Sequence, residues 1–354
     1  MSGPRLGRAA TVAALLAAAA PAAAFVRSTT GDNPGTGQAL WWRARQINVI
    51  VNTTAYHGGC ATGADAAAAV RASFPTWTRA TAAGGAQACT DFTFNDCGDS
   101  ARADLGYTSG GSDNANIVVF RGSRCVDHQS DSACADPTSS QCVEKFNCWS
   151  HDDASGGGGI LALTTVTFDV DTGEIVDADM ELHGWDGNLA SPTGFYFTCA
   201  SSSTCGPTYG GQNCAAIDVQ NTVTHEAGHM LGLDHVCVAG GAAPSNVCPA
   251  GAEPTMAPTA GKGDIDKRTL EPDDVAGVCS IYPAAAPTQR ATATPQGDNI
   301  TTTVAISAPA ACPPLAPIGG GGGGGRGGCA TGGAGGVGLV GLALAALWRR
   351  RARP

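Results

Sequence analysis

Basic side chains are scarce in this chain of 354 residues. It has 20 lysines and arginines against 30 aspartates and glutamates, and six of the arginines lie within the first 24 and last 26 residues. The part between these ends therefore has 14 basic and 30 acidic side chains, a net charge near −16. Proteins that bind nucleic acid neutralise phosphates with clustered lysine and arginine, so this balance argues against a nucleic-acid partner.

The sequence also lacks the Cys-x-x-Cys pairs of structural zinc modules, although it contains 15 cysteines. So many cysteines are unusual in a reducing cytosol and ordinary in exported proteins, where they form disulfides. Thirteen of them lie between Cys60 and Cys279, and an odd number cannot pair completely. We therefore predict that Cys312 bonds to one of these thirteen.

The N-terminus lacks an apolar run long enough to span a bilayer. Arg5 and Arg8 precede apolar residues from 9 to 20, and Pro21 and three alanines follow. A transmembrane helix needs about 20 apolar residues, whereas a secretory signal peptide needs fewer and ends in small residues. We therefore predict a signal peptide over residues 1–24, cleaved after Ala24, and an exported protein.

Apolar residues with a regular period, which a hydrophobic core requires, occur between residue 39 and about residue 283. This length suits one domain, so we predict a single domain over residues 25–283. Alternating or β-branched apolar runs predict strands, and an alanine-rich run predicts a helix. The predicted strands are 46–52, 91–94, 116–121, 160–170 and 174–182, and the predicted helix is 64–79. Strands with an interposed helix predict an α/β fold with a mostly parallel sheet.

The stretch HEAGHMLGLDH, which begins at His225, matches the pattern H-E-x-x-H-x-x-G-x-x-H at every fixed position. On a helix, His225 and His229 lie one turn apart on the same face, so both imidazoles can reach one ion. The apolar residues between them suit the buried face of that helix, and Thr222 or Thr224 is predicted to cap its N-terminus.

The second half of this stretch completes a set of three ligands. Gly232 can adopt the left-handed conformation that turns the chain out of the helix and returns His235 to the same point. Three imidazoles and an open position are typical of catalytic zinc, so we predict one Zn²⁺ held by His225, His229 and His235. Glu226, beside them, is predicted to be the general base.

With this stretch and several others, the sequence resembles the metzincin metallopeptidases, and among them the matrixins. The resemblance rests on LGLDH, on PTMAP around Met256, on LEPDDVAGVCSIYP, and on GGILALTTVTFD, which is similar to the matrixin edge strand. It implies a twisted, mostly parallel five-stranded sheet with an antiparallel edge strand, an active-site helix, a Met-turn and a C-terminal helix. It also implies that Met256 packs beneath the metal and that a substrate peptide lies along the edge strand near Leu161 and Ala162.

The motif and the resemblance predict an exported zinc endopeptidase that cleaves extracellular or surface proteins as a monomer. A water activated by zinc would attack the peptide carbonyl, and Glu226 would pass its proton to the leaving amine. The alternative is a non-catalytic surface adhesin on the same scaffold, but an adhesin has no need of Glu226. Metal-dependent hydrolysis of a bond other than a peptide bond is disfavoured by the edge strand and the resemblance.

The sequence departs from the matrixin pattern in three places. No cysteine-containing propeptide precedes the domain, and Val236 stands where matrixins usually have serine. The loop over 122–159, which binds structural zinc and calcium in matrixins, contains four cysteines instead, and we expect these to pair locally: Cys125, Cys134, Cys142 and Cys148. Five aspartates are possible ligands of a calcium ion, although a solvated hairpin is the favoured interpretation: Asp169, Asp171, Asp177, Asp179 and Asp186.

After residue 283 the composition changes. Residues 284–328 are rich in Ala, Pro, Thr and Gly, which predicts a flexible stalk because such a segment cannot bury a core. Residues 329–354 contain Cys329, an apolar stretch and four arginines, and they resemble the bacterial MYXO-CTERM sorting tail. This resemblance implies insertion of the tail into a membrane and its removal by a sorting protease, with the domain left at the cell surface or released. The alternative is a plain C-terminal anchor.

Overall fold

A computed structural model of the chain describes residues 25–31, 36–111, 113–151, 160–183, 196–199, 216–238, 241, 253–261, 263–294 and 297–318, with two short strands beyond them. The predicted signal peptide, Asp186 and most of the predicted sorting tail lie outside the described residues. The helices are α1 Gly63–Thr78, α2 Ser140–Phe146, α3 Val219–Met230 and α4 Pro272–Ile281. None of these helices has the length and apolar composition needed to cross a membrane.

The described strands number seventeen, and eight of them have only two residues. They are β1 Val26–Arg27, β2 Trp41–Trp42, β3 Gln46–Asn52, β4 Thr93–Asp99, β5 Asn116–Phe120, β6 Ser123–Arg124, β7 Cys148–Trp149, β8 Ala162–Phe168, β9 Glu174–Leu182, β10 Tyr196–Thr198, β11 Ala216–Asp218, β12 Leu233–Asp234, β13 Thr259–Ala260, β14 Thr288–Thr294, β15 Gly297–Val304, β16 Leu342–Ala343 and β17 Arg351–Ala352.

A mostly parallel sheet forms the centre of the fold, which confirms the predicted α/β class. Its strand order is β17-β8-β9-β5-β3-β4, and β2 also pairs with β9. Strands β4, β3, β5 and β9 are parallel neighbours, whereas β8 runs antiparallel to β9. The sheet has seven strands where the resemblance implied five, because the two-residue strands β2 and β17 join it.

The burial of each long strand follows from its place in the sheet. β5 is buried at every residue because it lies between β3 and β9 with both faces covered, and its sequence is continuously apolar after Asn116. The strand predicted at 91–94 begins two residues later and continues to Asp99. Its second half is polar and half-exposed, so hydrophobic alternation could not show that it pairs with β3.

Helices α1 and α3 cover one face of the sheet and contact each other. The side chain of Thr62 caps α1 by accepting a hydrogen bond from the backbone N–H of Asp65. The indole of Trp77, which is 1 % exposed, donates to the carbonyl of Thr224 in α3 over 2.8 Å. Apolar side chains of β3, β5, β8 and β9 fill the space between these helices and the sheet. Helix α3 is therefore held in a fixed position above β8.

The opposite face of β9 carries acidic side chains that are buried. Asp177 and Asp179 are 1 % and 0 % exposed, so the interpretation of a solvated hairpin is wrong for these two residues. The carboxylate of Asp179 accepts hydrogen bonds from the backbone N–H groups of Gly106, over 2.5 Å, and Ile117, over 3.0 Å. The segment between β4 and β5 covers this face of the sheet. Sequence periodicity predicts strands and helices but does not predict where a connecting segment packs.

Glu181 and Arg121 form a buried ion pair on the same face. The guanidinium Nε lies 2.7 Å from Glu181 Oε2, the side chains are 0 % and 2 % exposed, and His151 Nε2 lies 3.0 Å from Glu181 Oε1. Burial alone would raise the pKa of Glu181, but the charge of Arg121 and the contact with His151 outweigh it and lower that pKa to about 2. The carboxylate is therefore ionised at neutral pH.

Replacing Arg121 with methionine should lower the free energy of unfolding at pH 7 by about 3–5 kcal/mol, because Glu181 would be left buried without its cation. Urea denaturation measures this change. Arg124→Met is the control, since Arg124 pairs with Asp127 at the surface and its loss should cost less than about 1 kcal/mol. Equal stabilities of the wild-type and Arg121→Met proteins would contradict the assignment.

The same pair predicts a dependence of stability on pH. The folded-state pKa of Glu181, about 2, lies below its ordinary value of 4.5. Its contribution to stability is therefore fully present above pH 4.5 and is lost as the pH falls from 4.5 towards 2. In Arg121→Met the cation that lowers this pKa is absent, so the loss of stability between pH 4.5 and pH 2 should become smaller.

Disulfides join distant parts of the described chain. The bonds are Cys60–Cys199, Cys89–Cys279, Cys97–Cys312, Cys125–Cys148 and Cys134–Cys142, and Cys237 is also disulfide-bonded. The prediction that Cys312 bonds to a domain cysteine is confirmed. The four cysteines of the 122–159 loop pair locally, as expected. Each bond of this kind contributes roughly 2–4 kcal/mol by restricting the unfolded chain.

The first part of the predicted stalk is ordered against the domain. Strands β14 and β15 form an antiparallel hairpin, and residues 307–316 then follow the edge of the sheet. The backbone N–H of Ser307 donates to the Arg43 carbonyl over 3.2 Å, and that of Ala101 donates to the Ala316 carbonyl over 3.1 Å. These contacts and the Cys97–Cys312 bond join part of the segment after residue 284 to the domain, which composition alone does not reveal.

Candidate metal centre

Helix α3 positions the first two histidines of the motif. It begins at Val219, and the side chain of Asp218 caps it by accepting a hydrogen bond from the backbone N–H of Asn221 over 2.7 Å. The predicted caps Thr222 and Thr224 are wrong, since both lie inside the helix, where the Thr224 hydroxyl donates to the Gln220 carbonyl over 2.7 Å. Asp218 is the cap because it directly precedes the first helical residue, where a side-chain acceptor can reach a free backbone N–H.

The three motif histidines converge on one point. The Nε2 atoms of His225, His229 and His235 are each 3.2 Å from the other two. Gly232 makes this possible with a φ of +89°, and a Cβ at this position would lie only 2.7 Å from the carbonyl oxygen of Leu40. The structure therefore brings together the predicted ligand set, through the predicted glycine turn.

Hydrogen bonds to carbonyl groups orient two of the imidazoles. His225 Nδ1 lies 2.6 Å from the Thr255 carbonyl oxygen, and His229 Nδ1 lies 2.9 Å from that of Leu233. A carbonyl only accepts, so Nδ1 carries the proton in both rings and Nε2 presents a lone pair to the centre. Partners of this kind are typical of metal-binding histidines.

Burial keeps all three rings neutral. It lowers the pKa of His229 to about 4 and the pKa values of His225 and His235 well below their ordinary range. Nearby Lys267 lowers these pKa values further. Neutral imidazoles whose lone pairs face one another at 3.2 Å repel, and a bound cation would remove that repulsion. The three histidines can therefore hold a metal ion.

A second group of possible ligand atoms occurs in the described residues. The sulfurs of Cys125, Cys142 and Cys148 lie within 4.8 Å of one another. All three belong to disulfides, so none is available as the thiolate that a metal ion requires. No group of three acidic side chains in the described part of the chain converges in this way, so calcium has no supporting geometry there.

Glu226 is fully buried next to the histidines, and its two carboxylate oxygens have different surroundings. Oε2 accepts a hydrogen bond of 2.6 Å from the Thr164 hydroxyl. Oε1 is buried without a hydrogen-bond partner among the described residues. Burial raises the pKa of Glu226 to about 7, against the lowering effects of Thr164 and Lys267. A carboxyl group with a pKa near neutrality can both accept and return a proton at physiological pH.

Met256 packs under the helix that carries the ligands. It is 2 % exposed, and its Sδ lies 2.3 Å from the point where a Cβ at Gly228 would be, so the two pack in close contact. Asp274 holds this turn, because its carboxylate accepts from the backbone N–H groups of Thr255 and Met256 over 2.9 Å and 3.3 Å. Thr255 in turn provides the carbonyl that orients His225.

Strand β8 contains the predicted edge-strand residue Ala162 and follows Leu161, and β17 pairs with its outer side at Thr167 and Phe168. Thr164 connects β8 to Glu226, and Leu161 and Ala162 precede it along the chain. The Leu161 carbonyl accepts from the backbone N–H of His183 over 2.9 Å and so faces β9. In an antiparallel ladder successive residues face alternate sides, so the main-chain groups of Ala162 point away from β9.

Sequence reasoning missed three side chains of this centre. Thr164 and Lys267 carry no motif, and Asp274 lies far along the chain from the zinc motif. Lys267 is 3 % exposed and donates to the Ala257 carbonyl, and burial lowers its pKa to about 8. A signal existed for Asp274 alone, because it stands three residues after Glu271 in a capping box.

Comparison with known proteins adds no relative. No protein-family model matches the chain, and no curated protein matches it.

Proposed function

We propose that the protein is an exported, zinc-dependent endopeptidase of the metzincin type, similar to the matrixins. One observation carries the proposal: three neutral imidazoles converge at 3.2 Å, and the residue after His225 has a buried carboxylate with one oxygen without a partner in the described chain. A surface adhesin would gain nothing from that carboxylate, which costs free energy to bury.

The donor set fits zinc. Ligand nitrogens at about 2.0–2.1 Å from a tetrahedral zinc ion are about 3.3–3.4 Å apart, close to the 3.2 Å between the Nε2 atoms. Three histidines without a carboxylate or thiolate leave one position open, as in catalytic zinc sites. When bound there by His225, His229 and His235, zinc supplies a Lewis acid that polarises the scissile carbonyl and increases the acidity of a water molecule.

Glu226 performs the proton transfers. Its Oε1 accepts the proton that the attacking water loses, and the same oxygen returns the proton to the amine nitrogen as the C–N bond breaks. Burial raises the pKa of Glu226 above its ordinary value, which strengthens the carboxylate as a proton acceptor. Met256 has no part in these transfers and acts through its packing against Gly228.

Strand β8 binds the substrate as an extended peptide. The main-chain groups of Ala162 face away from β9, so they can pair with a peptide that adds to the sheet, whereas the carbonyl of Leu161 is already bonded to His183. Main-chain pairing of this kind recognises polypeptides and is indifferent to most side chains. This mode of binding therefore favours a protein or peptide substrate over a substrate with another kind of hydrolysable bond.

The disulfides support function outside a reducing cytosol. Membrane insertion through residues 329–354 and their removal by a sorting protease remain predictions from sequence.

The test is hydrolysis of casein by the purified protein before and after treatment with a zinc chelator. We expect activity that the chelator abolishes and that added zinc restores, whereas added magnesium does not. Metal analysis should find one zinc per chain. Proteolysis that is unaffected by complete removal of metal would contradict the proposal, and a zinc-loaded protein without hydrolytic activity would favour the adhesin.

A further inference from the structure

The hydroxyl of Thr164, a residue of strand β8, contacts the carboxylate of Glu226 in helix α3. Thr164 is 0 % exposed, and its Oγ1 lies 2.6 Å from Glu226 Oε2 and 3.3 Å from the Glu226 carbonyl oxygen. A hydroxyl has one proton to donate, and the shorter contact to an ionised acceptor takes it. The carboxylate therefore has one oxygen committed to β8 and one left for the centre.

The register of β8 selects this threonine from three in the strand. Thr164 pairs with Met180, and its neighbours on the same face, Ala162 and Val166, belong to the core under the helices. Thr165 pairs with Asp179 and so lies on the opposite face. Thr167 pairs with Asp177 and lies on that opposite face too, so Thr164 is the threonine of β8 that faces Glu226.

We propose that Thr164 is a positioning residue for the general base. By donating to Oε2 it fixes the rotation of the Glu226 carboxylate and leaves Oε1 as the oxygen that exchanges protons with the reactants. This role rests on the proposed peptidase function. It assigns a purpose to a hydroxyl that the zinc motif does not contain.

Geometry explains why the role needs a hydroxyl. Without Thr164 Oγ1, the carboxylate would lose its side-chain hydrogen bond to β8 and would be held less firmly against rotation about its last bond. A proton accepted on Oε2 would then point at β8 and could not reach the leaving amine. Misplacement of a reacting group by about 1 Å can cost on the order of 10²-fold in rate.

The experiment compares Thr164→Val, Thr164→Ser and Thr165→Val with the wild type in the full exported chain. Valine has the shape of threonine without the hydroxyl, serine keeps the hydroxyl, and Thr165→Val is the same change on the opposite face. Steady-state hydrolysis of a peptide gives kcat and KM, and metal analysis gives zinc per chain. We expect Thr164→Val to lower kcat by about 10- to 100-fold with little change in KM. Thr164→Ser should restore most of kcat, and Thr165→Val should leave it unchanged, with zinc bound in all three.

A second measurement does not depend on activity. Thermal unfolding of Thr164→Val, Glu226→Ala and the double variant forms a double-mutant cycle. Thr164→Val should lower Tm more in the wild-type background than in the Glu226→Ala background, because the hydrogen bond between the two side chains exists only in the former.

The outcomes separate this inference from the proposed function. An active wild type with an unchanged kcat in Thr164→Val, or with Thr164→Ser as slow as Thr164→Val, would overturn the role of the hydroxyl and leave the peptidase intact. Equal losses in Thr164→Val and Thr165→Val would also overturn it. A wild type that binds zinc, shows the coupling in Tm and cleaves no peptide would overturn the proposed function and with it the catalytic role of Thr164.

Discussion

Replacing Glu226 with alanine should lower the rate of peptide hydrolysis by about two to four orders of magnitude while zinc stays bound. Two of the imidazoles are oriented by groups other than Glu226, since Thr255 and Leu233 provide the carbonyls for His225 and His229. Removing the carboxylate therefore takes away the proton acceptor and leaves the ligand set in place.

His229→Ala should behave differently, because it removes one of three ligands and leaves two imidazoles facing each other. Zinc content and activity should fall together in this variant. The measurements are kcat/KM on a peptide and zinc per chain after dialysis. Glu174→Ala is the matched control, since Glu174 pairs with Arg43 at the surface, away from the centre. Substantial proteolysis by Glu226→Ala would exclude Glu226 as the general base.

The parts of this fold that could be predicted from sequence are those set by local patterns. β3 and β9 occur at the predicted residues because their alternation of apolar side chains reflects one apolar face packed under the helices. The histidine cluster follows from the helical repeat and from the glycine turn at Gly232. In each case the spacing along the chain determines the spacing in space.

What could not be predicted depends on contacts between residues far apart in the chain. Thr164 reaches Glu226 across 62 positions, and Asp274 reaches Thr255 across 19. Asp177 is buried because a connection more than sixty residues earlier covers its face of the sheet. No local pattern shows these contacts. The odd count of domain cysteines was an exception, since pairing arithmetic alone indicated the long-range bond from Cys312.

Asp274→Ala should weaken the fold and zinc binding together. The Asp274 carboxylate accepts hydrogen bonds from the backbone N–H groups of Thr255, Met256 and Glu271. The first two donors are buried, and a buried donor without an acceptor costs about 1–3 kcal/mol, so the free energy of unfolding should fall by roughly 2–6 kcal/mol. The segment that loses its support contains the carbonyl of Thr255, which orients His225.

Loss of this orientation should reduce zinc affinity by about 10- to 100-fold, the usual effect of removing a partner of a ligand. Competition with a chromophoric chelator measures the affinity, and urea denaturation of the metal-free protein measures the fold separately. Asp274→Asn is the graded control, because the amide keeps the shape and one acceptor oxygen for the same N–H groups, so both effects should be intermediate. A destabilised Asp274→Ala protein with wild-type zinc affinity would show that the turn supports the fold alone, and that the Thr255 carbonyl keeps His225 in place without help from Asp274.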